Sequence, residues 1–191
     1  MTRLALRRAT GFTLPELLMV VTVVMVGAAL AVGLNGREIR RERINAVTVG
    51  LSGWIEEVRR SALKANPCQV TISSNSGGAA AGSALGVASA VPSPSGAITP
   101  ANTCRAASPY EVPSELGSTR VRVEALNGPG FTFGVLGTVE PTTPTNKEWV
   151  LTLIKSNGQS DLSRCLRIRG MMGFVEIGNR NGSICSYASR Y

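Results

Sequence analysis

An uninterrupted apolar run near the N-terminus dominates the pattern of hydrophobic and polar positions along the chain. It extends from Leu17 to Leu34, and Thr22 is its only polar member. At about 1.5 Å per residue, a helix of this length spans roughly 27 Å, close to the thickness of a bilayer core. The alternative is a buried helix of a soluble protein, but such a helix rarely stays apolar on every face over this length. The run therefore predicts a membrane-spanning helix.

An amphipathic stripe follows this run. Its apolar residues recur at spacings of three and four, which is the period of one helix face: Ile44, Val47, Leu51, Ile55, Val58 and Ala62. We therefore predict one long helix from Phe12 to about Ala65, whose second half covers a core. Pro15 falls in the first turn, where no backbone donor is lost. Pro67 ends the helix, because proline disfavours helical conformation in the residue before it.

The rest of the chain has the pattern of strands and turns. Strands are predicted at 69–73, 119–125, 131–139, 149–154, 165–169 and 173–177. Residues 75–103 are rich in Gly, Ala, Ser and Pro, and predict a flexible insertion. Residues 178–191 are predicted to be irregular. The predicted fold class is α+β, in which a long N-terminal transmembrane and stalk helix packs on an antiparallel β-sheet head.

Basic residues are concentrated at the extreme N-terminus. The net charge is +8, and Arg3, Arg7 and Arg8 lie in the first eleven residues, which contain no acid. Residues 1–11 therefore resemble a targeting leader. An ordinary secretory signal would place the apolar stretch inside the removed peptide, and the Ala-rich 28–31 stretch could then imitate its cleavage site. The net positive charge of the chain also permits contact with nucleic acid or anionic lipid.

The chain has four cysteines and no histidine. Cys68, Cys104, Cys165 and Cys185 all follow the apolar run, which indicates two disulfides in an oxidising compartment, with reduced buried thiols as the alternative. Three pairings are possible. We favour Cys68–Cys104 and Cys165–Cys185, because each closes a local loop. Without histidine or CxxC spacing, no zinc site is predicted.

The composition also disfavours an enzyme. Without histidine there is no Ser-His-Asp or Cys-His arrangement, and no Gly-rich phosphate loop precedes a helix. The acids are scattered along the chain. We predict no catalytic residues, no cofactor and no metal.

Glu16 carries the most specific chemistry in the sequence. A charge at bilayer depth costs about 2.5–3.5 kcal/mol on the lower scales. Its position near a helix N-terminus offsets only about 0.3–1 kcal/mol. Cleavage between Gly11 and Phe12 would create an amine one helical turn away, able to neutralise Glu16 in the same chain or in a neighbouring one. The alternative is that Glu16 reaches the interface and does nothing more.

These residues resemble the N-terminus of type IV pilins and pseudopilins. The shared features are the basic leader, Gly11, Phe12, Glu16 as the fifth residue after the break, and the apolar helix that follows. The resemblance implies cleavage after Gly11 by a prepilin peptidase and N-methylation of Phe12. It also implies that Glu16 aids assembly by pairing with the N-terminal amine of the preceding subunit. The chain differs from many pilins in having Gly33 and Gly36 where those carry a helix-breaking proline.

The head resembles one branch of that superfamily. Residues 55–66 and the strand after them are similar to the H-type pseudopilin and T-type fimbrial minor pilin family (GspH/FimT). Residues 131–138 resemble its Phe-x-x-x-Gly-Thr strand, and 165–170 with Gly173 resemble its last hairpin. Members of this family are minor subunits thought to prime or cap a filament.

The resemblance and the residues together predict four segments. They are a leader (1–11), a transmembrane and assembly helix (12–35), an amphipathic extension (36–66) and a β-rich extracytoplasmic head (67–191). The expected location is the bacterial inner membrane, with the head in the periplasm, and then a pilus or pseudopilus. The expected partners are other pilins, the prepilin peptidase, the inner-membrane assembly platform and, before assembly, membrane lipid. A membrane-anchored binding module that never assembles is the plainest alternative.

A DNA-binding minor pilin of natural transformation is a further alternative. The basic Gly-Arg-x-Arg motif of such proteins is absent, because the matching hairpin reads Gly173-Phe174-Val175-Glu176. Other arginines could contact phosphates if they share a strand face, although a solvated face is the favoured interpretation. The candidates are Arg120, Arg122, Arg164, Arg167, Arg169 and Arg180.

Overall fold

The computed structural model describes residues 12–64, 67–91, 104, 108–140 and 146–187, with the backbone alone for 30–35 and 37. Helix α1 spans Leu14–Ala62. The described strands are β1 (Cys68–Ile72), β2 (Asn75–Ala79), β3 (Ala84–Ala90), β4 (Tyr110–Glu111), β5 (Arg120–Ala125), β6 (Gly130–Phe133), β7 (Lys147–Ile154), β8 (Ser160–Arg169), β9 (Phe174–Asn181) and β10 (Ile184–Tyr187). This combination confirms the α+β prediction.

The strands form two antiparallel sheets. One has four strands in the order β4-β3-β1-β6, and the other has six in the order β10-β9-β8-β7-β5-β2. Because β1 and β2 follow each other along the chain but lie in different sheets, the chain passes from one sheet to the other at residues 73–74.

The predicted stripe of α1 supplies the helical side of the core. All six of its residues are fully buried, and they share one hydrophobic cluster with apolar residues from both sheets. Trp149 at the centre of β7 is the largest fully buried side chain in that cluster. Its ring centroid lies 5.7 Å from that of Phe131 of β6. Burial of the stripe explains why the second half of α1 forms part of the head.

The chain divides into two compact units, Met1–Ile39 and Arg40–Tyr191. In the described part of the first unit, the apolar side chains of α1 are exposed from Leu17 to Val26. Among the residues that the structure describes, no helix combines the length and apolarity that a membrane crossing requires.

The interpretation of 75–103 as one flexible insertion is wrong for its first half. Residues 75–79 and 84–90 form β2 and β3, one in each sheet, and residues 92–103 lie outside the described part of the chain. At least one of the small residues that imitated a linker is required by packing. A Cβ at Gly86 of β3 would lie 2.7 Å from the ring of Trp54. The Gly-rich composition therefore predicted a linker where there are strands, because Gly86 makes room for the large aromatic side chain of Trp54.

Three other element predictions need correction. The predicted 131–139 strand ends as β6 at Phe133, and a turn then returns the chain to an isolated bridge between Phe133 and Val139. The strand predicted at 173–177 continues to Asn181, and β10 follows where irregular chain was predicted. The turn between them is Gly182-Ser183, with Gly182 at φ 63°. A two-residue turn that begins with glycine is a hairpin signal.

Candidate functional sites

The first candidate site is the start of α1. The backbone N–H groups of Glu16 and Leu17 donate to the carbonyl of Thr13 at 3.0 and 3.1 Å, which closes the first helical turn. The Thr13 hydroxyl lies 3.5 Å from a carboxylate oxygen of Glu16. Gly11 lies outside the described residues, and Phe12 precedes the helix with an exposed side chain. Glu16 therefore lies in the first turn of α1, next to the Thr13 side chain.

A sequence signal for this local role was missed. Thr13 and Glu16 have the Ser/Thr-x-x-Glu spacing of a capping box, although in the structure the Glu16 N–H donates to the Thr13 carbonyl and the two side chains contact each other. Glu16 is also exposed in the first turn, where negative charge is favoured by the helix dipole. A local structural role and a role in assembly are therefore both compatible with this position.

Two disulfides stabilise the head. Cys68 bonds Cys104 with 5.5 Å between Cα atoms, and Cys165 bonds Cys185 with 6.0 Å between them. The favoured pairing is therefore confirmed. Both bonds fit an oxidising compartment.

The second disulfide links β8 to β10 across β9. Cys165 stands opposite Gly178 of β9, and Gly178 stands opposite Tyr187 of β10. A Cβ at Gly178 would lie 2.6 Å from the carbonyl oxygen of Ser186 and 2.8 Å from the Tyr187 ring. The absence of a side chain at Gly178 therefore lets β10 approach closely enough for Cys185 to bond Cys165.

Five of the six candidate arginines share one face of the larger sheet. This outer face consists of the strand positions that alternate with the buried residues Val121, Leu151 and Leu166. It carries the following charged and aromatic residues: Arg120, Arg122, Glu124, Glu148, Arg167, Arg169, Phe174, Glu176, Arg180 and Tyr187.

Arg167 is the centre of a side-chain network on the outer face. It donates through Nε and Nη2 to Glu176 Oε2 at 3.0 and 2.6 Å, and its guanidinium carbon lies 3.8 Å from the centroid of the Tyr187 ring. Tyr187 donates its hydroxyl proton to Glu148. The hydrogen bond from Arg167 lowers the pKa of Glu176, whereas burial and the Glu148 hydrogen bond raise the pKa of Tyr187. Tyr187 is thus held between a cation and a carboxylate.

Two other outer-face arginines also have carboxylate partners. Arg169 Nη1 lies 3.5 Å from Glu176 Oε1, and Arg180 Nη1 lies 3.6 Å from Glu124 Oε2. Arg122 differs, because its Nε is buried without a hydrogen-bond partner among the described residues. Much of the positive charge predicted for this face is therefore balanced within the sheet.

Arg164 faces the other way, towards α1. Its Nε donates to Asn45 Oδ1 at 2.6 Å, and burial together with Arg41 lowers its pKa. The structure therefore does not bring the six arginines into one patch. The predicted strand began only at Cys165, so the alternation of β8 could not be applied to Arg164.

One group of potential metal ligands occurs among the described residues. Glu148, Cys165 and Cys185 place one ligand atom each within 4.8 Å of one another. The two sulfur atoms are bonded to each other, so neither offers the thiolate that binds metal. These three residues therefore form a disulfide next to a carboxylate, and they lack the thiolate ligands that a metal would need.

Comparison with known proteins gives one similar solved structure. No family model matches the chain, and no curated protein matches it. The crystal structure of the type IV minor pilin FimU of Pseudomonas aeruginosa is similar at 18% identity, over 77% of this chain and 95% of that one, with a TM-score of 0.39. At this identity and TM-score, the likeness does not assign a family to the chain.

Proposed function

We propose that the chain is a prepilin-like subunit that is cleaved after Gly11, methylated on Phe12 and assembled as a minor component of a type IV pilus or type II secretion pseudopilus. The observation that carries this proposal is the exposure of apolar side chains on every side of α1 between Leu17 and Val26. This segment begins one residue after Glu16.

Exposure on all sides requires an apolar surrounding. Successive residues of a helix point about 100° apart, so the consecutive residues from Leu17 to Val21 cover its whole circumference. Each of them is at least two fifths exposed. Apolar area left in water costs about 25 cal/mol per Å². A lipid bilayer covers such a helix before assembly, and the helices of neighbouring subunits cover it in a filament core.

Glu16 favours transfer of this helix from the bilayer into a filament. Removal of residues 1–11 creates a free amine on Phe12 of each subunit, within reach of the Glu16 carboxylate of the same chain or of a neighbour. Pairing between that amine and the Glu16 of a neighbour neutralises both charges in the low-dielectric filament core. Assembly is thereby favoured over storage in the bilayer.

The head fits a position outside the cytoplasm. Its two disulfides require an oxidising compartment, and the basic leader would remain on the cytoplasmic side with the prepilin peptidase and the inner-membrane assembly platform. No specific observation favours the DNA-binding alternative. Four of the six candidate arginines have carboxylate or amide partners, and Arg164 lies on the opposite face from the rest.

The test of processing is the intact mass of the chain recovered from membranes of cells with and without a prepilin peptidase. A mature chain that begins at Phe12, with or without one methyl group, supports the proposal. A chain that retains residues 1–11 in the presence of the peptidase, or one cut near Ala31, would contradict it and favour an anchored or secreted β-domain.

The test of assembly separates the local role of Glu16 from its intersubunit role. Glu16→Gln removes the charge, whereas Thr13→Val removes the side-chain contact to Glu16 and keeps the charge. We expect Glu16→Gln to be cleaved and inserted in the membrane normally but to be lost from sheared filaments, and Thr13→Val to be incorporated. Equal incorporation of both variants would show that the Glu16 charge does not drive assembly, whereas absence of the parent chain from sheared filaments would favour the anchored module that never assembles.

A further inference from the structure

In the described part of the chain, the two sheets have four edge strands, and three of them are blunted. An edge strand exposes unpaired N–H and C=O groups that another strand can bind, and proteins usually protect it with bulges, charges, proline or a covering segment. In the four-stranded sheet, the β4 edge has only two residues, and its register with β3 shifts. The β6 edge is covered by the segment that follows it, since the Glu140 N–H donates to the Thr132 carbonyl at 2.9 Å. Both edges of this sheet are therefore protected.

The six-stranded sheet has one blunted edge and one regular edge. Its β2 edge contains Gly77 and Gly78, and its register with β5 shifts between Asn75 and Ala79. Its β10 edge pairs with β9 through four consecutive residues without a shift, and no described strand pairs with the outer side of β10. The sequence of β10 is Ile-Cys-Ser-Tyr, which has no charge and no proline. Short length is thus the only protection that β10 itself provides.

The hairpin determines which backbone groups of β10 point outward. Residues on either side of a two-residue turn exchange both hydrogen bonds, and bonded and non-bonded pairs then alternate along the ladder. In the β9–β10 hairpin the first pair is Asn181 with Ile184. Two residues further along, Ser186 again bonds to β9. The N–H and C=O groups of Cys185 and Tyr187 therefore point away from β9, and they form an open template for one more strand.

Side-chain contacts hold β10 in place. The disulfide between Cys185 and Cys165 links β10 covalently to β8. The Tyr187 ring centroid lies 3.8 Å from the guanidinium carbon of Arg167, and the Tyr187 hydroxyl donates to Glu148. A strand that is already ordered loses less conformational entropy when it binds a partner. The template is therefore preorganised for pairing.

A second copy of the chain satisfies this template completely. When two β10 strands pair antiparallel about a two-fold axis at Ser186, Cys185 of each copy faces Tyr187 of the other. This register pairs the outward N–H and C=O groups of both residues in both strands. A register centred on Cys185 or on Tyr187 pairs only that residue within β10. Two-fold dimers are also the commonest oligomers of soluble proteins.

The side chains at this edge are compatible with two copies. Ser186 would face Ser186 of the second copy at a non-hydrogen-bonded position, where Cβ atoms lie about 4.5–5.5 Å apart and small polar side chains hydrogen-bond. Ile184, which is 71% exposed, lies on the same side of β10 and would be partly covered. Arg180 is the cation beside this edge, and its Nη1 lies 3.6 Å from Glu124 Oε2. Pairing therefore does not bring uncompensated like charges of the hairpin together.

We infer that β10 is the contact of a two-fold dimer, in which the six-stranded sheets of two copies join into one continuous sheet. The inference goes beyond the proposed function, because it requires neither cleavage after Gly11 nor entry into a filament. One short strand pair buries less area than a permanent dimer needs, so monomer and dimer should exchange as the protein concentration changes.

Cysteine cross-linking of the full-length chain tests both the contact and its register. Ser186→Cys places two thiols at the two-fold axis, where the Cα atoms of a non-hydrogen-bonded pair lie about 4.5 Å apart, within the range of a disulfide. Ser183→Cys in the exposed hairpin turn is the matched control. In the same register its two thiols lie about 20 Å apart, at about 3.4 Å per residue.

Each cysteine variant is first shown to keep both native disulfides by titration of a single free thiol in denaturant. It is then oxidised mildly in detergent over a range of protein concentrations, and gels without reductant report the cross-linked dimer. We expect several-fold more dimer for Ser186→Cys than for Ser183→Cys.

Charge substitution tests the same register without added cysteine. Ser186→Lys places two like charges opposite each other, so the dimer should be lost, whereas Ser183→Lys should keep it. Ser186→Glu alone should also be monomeric, and its mixture with Ser186→Lys should recover dimers. Sedimentation of the detergent-solubilised chains measures the mass of each. Recovery in the mixture requires that position 186 faces itself, which damage to the β9–β10 hairpin would not produce.

Three outcomes would overturn the inference. The first is equal cross-linking at positions 183 and 186, or a parent chain that stays monomeric at every concentration. The second is association that survives Ser186→Lys, because the contact would then lie elsewhere, as between apolar helices. The third is cross-linking of Ser186→Cys in cell membranes to a different protein and not to a second copy. Cleavage after Gly11 and filament incorporation are measured separately, so the proposed function stands or falls independently.

Discussion

The hydroxyl of Tyr110 lies directly against Gly50 of α1. It donates to the Val47 carbonyl at 2.9 Å, and a Cβ at Gly50 would lie 2.5 Å from the same oxygen atom. The Tyr110 ring also packs near Trp54, with 6.4 Å between the ring centroids, and Trp54 donates through Nε1 to the Ser108 carbonyl at 3.1 Å. These contacts fasten β4 to the helix through a position where only glycine leaves enough room.

We predict opposite effects for two alanine substitutions in α1. Gly50→Ala and Gly53→Ala each gain about 0.5–1 kcal/mol of helix propensity. Gly53 has nothing within 4 Å of the added Cβ, so its variant should be more stable. Gly50→Ala should lose that gain, because the Cβ displaces the Tyr110 hydroxyl and breaks its hydrogen bond. Thermal unfolding of both variants measures the difference, and similar stabilisation of both would show that β4 moves away without cost.

The Tyr110 hydroxyl should also make the free energy of unfolding depend on pH in the alkaline range. Burial raises the pKa of Tyr110 to about 12, whereas an unfolded tyrosine has a pKa near 10. The folded state therefore keeps a proton that the unfolded state loses. This contribution is fully present below about pH 10 and disappears as the pH rises to about 12.

Denaturant unfolding between those two pH values should show a shallower loss of stability in Tyr110→Phe than in the parent chain. Tyr110→Phe has no phenol to ionise, although it is less stable at neutral pH through loss of the hydrogen bond to Val47. Equal slopes would mean that the hydroxyl reaches water in the folded protein. The pKa of Tyr187 is raised as well, so that residue contributes to the slope of both chains.

Gly178 allows a second test of close packing. A side chain there meets Ser186 and Tyr187 of β10, so Gly178→Val should push β10 away from β9 and impair the Cys165–Cys185 bond. Loss of a disulfide that closes a loop of this size costs about 3 kcal/mol. Free-thiol titration in denaturant and the unfolding midpoint measure the two effects. Gly77→Ala in β2 is the control, since its Cβ would have an ordinary 3.6 Å contact. Fully oxidised Gly178→Val protein would contradict the prediction.

Residue patterns predicted the features that depend on local spacing. The apolar stripe of α1 required only a period of three and four residues, and the disulfide pairing required only that each bond closes a short loop. The helix was predicted to about Ala65 and ends at Ala62, a small difference that is typical of helix ends.

The features that depend on tertiary packing could not be predicted. Gly86 makes β3 resemble a linker until the ring of Trp54 is placed against it. Arg164 and Arg167 are three residues apart, so on one strand they point to opposite faces, but this follows only once β8 is known to begin at Ser160. The carboxylate partners of Arg167 and Arg180 lie on other strands, which sequence spacing cannot reveal. The turns at residues 134–137 and 170–173 are distant in the sequence, but the fold joins them through the Val139 N–H, which donates to the Met171 carbonyl at 2.9 Å.

The Arg167–Glu176 pair should stabilise the head at neutral pH but not in acid. Arg167 lowers the pKa of Glu176, so the contribution is present above the unfolded pKa of glutamate, near 4.3, and is lost as the pH falls through the lower folded value. Because the pair is partly exposed, Glu176→Gln should cost no more than about 1 kcal/mol at neutral pH, and high salt should reduce the cost.

Chemical denaturation of the parent chain and Glu176→Gln at neutral pH and at about pH 3 measures this dependence. The stability difference between the two chains should narrow in acid, since protonation makes the parent carboxyl resemble the amide. The matched control is Glu115→Gln in the short 3-10 helix Ser114–Leu116, an exposed glutamate that forms no ion pair with the described residues. It should leave stability unchanged at both pH values. A Glu176→Gln difference that stays constant with pH would mean that the side chain contributes by packing and not by charge.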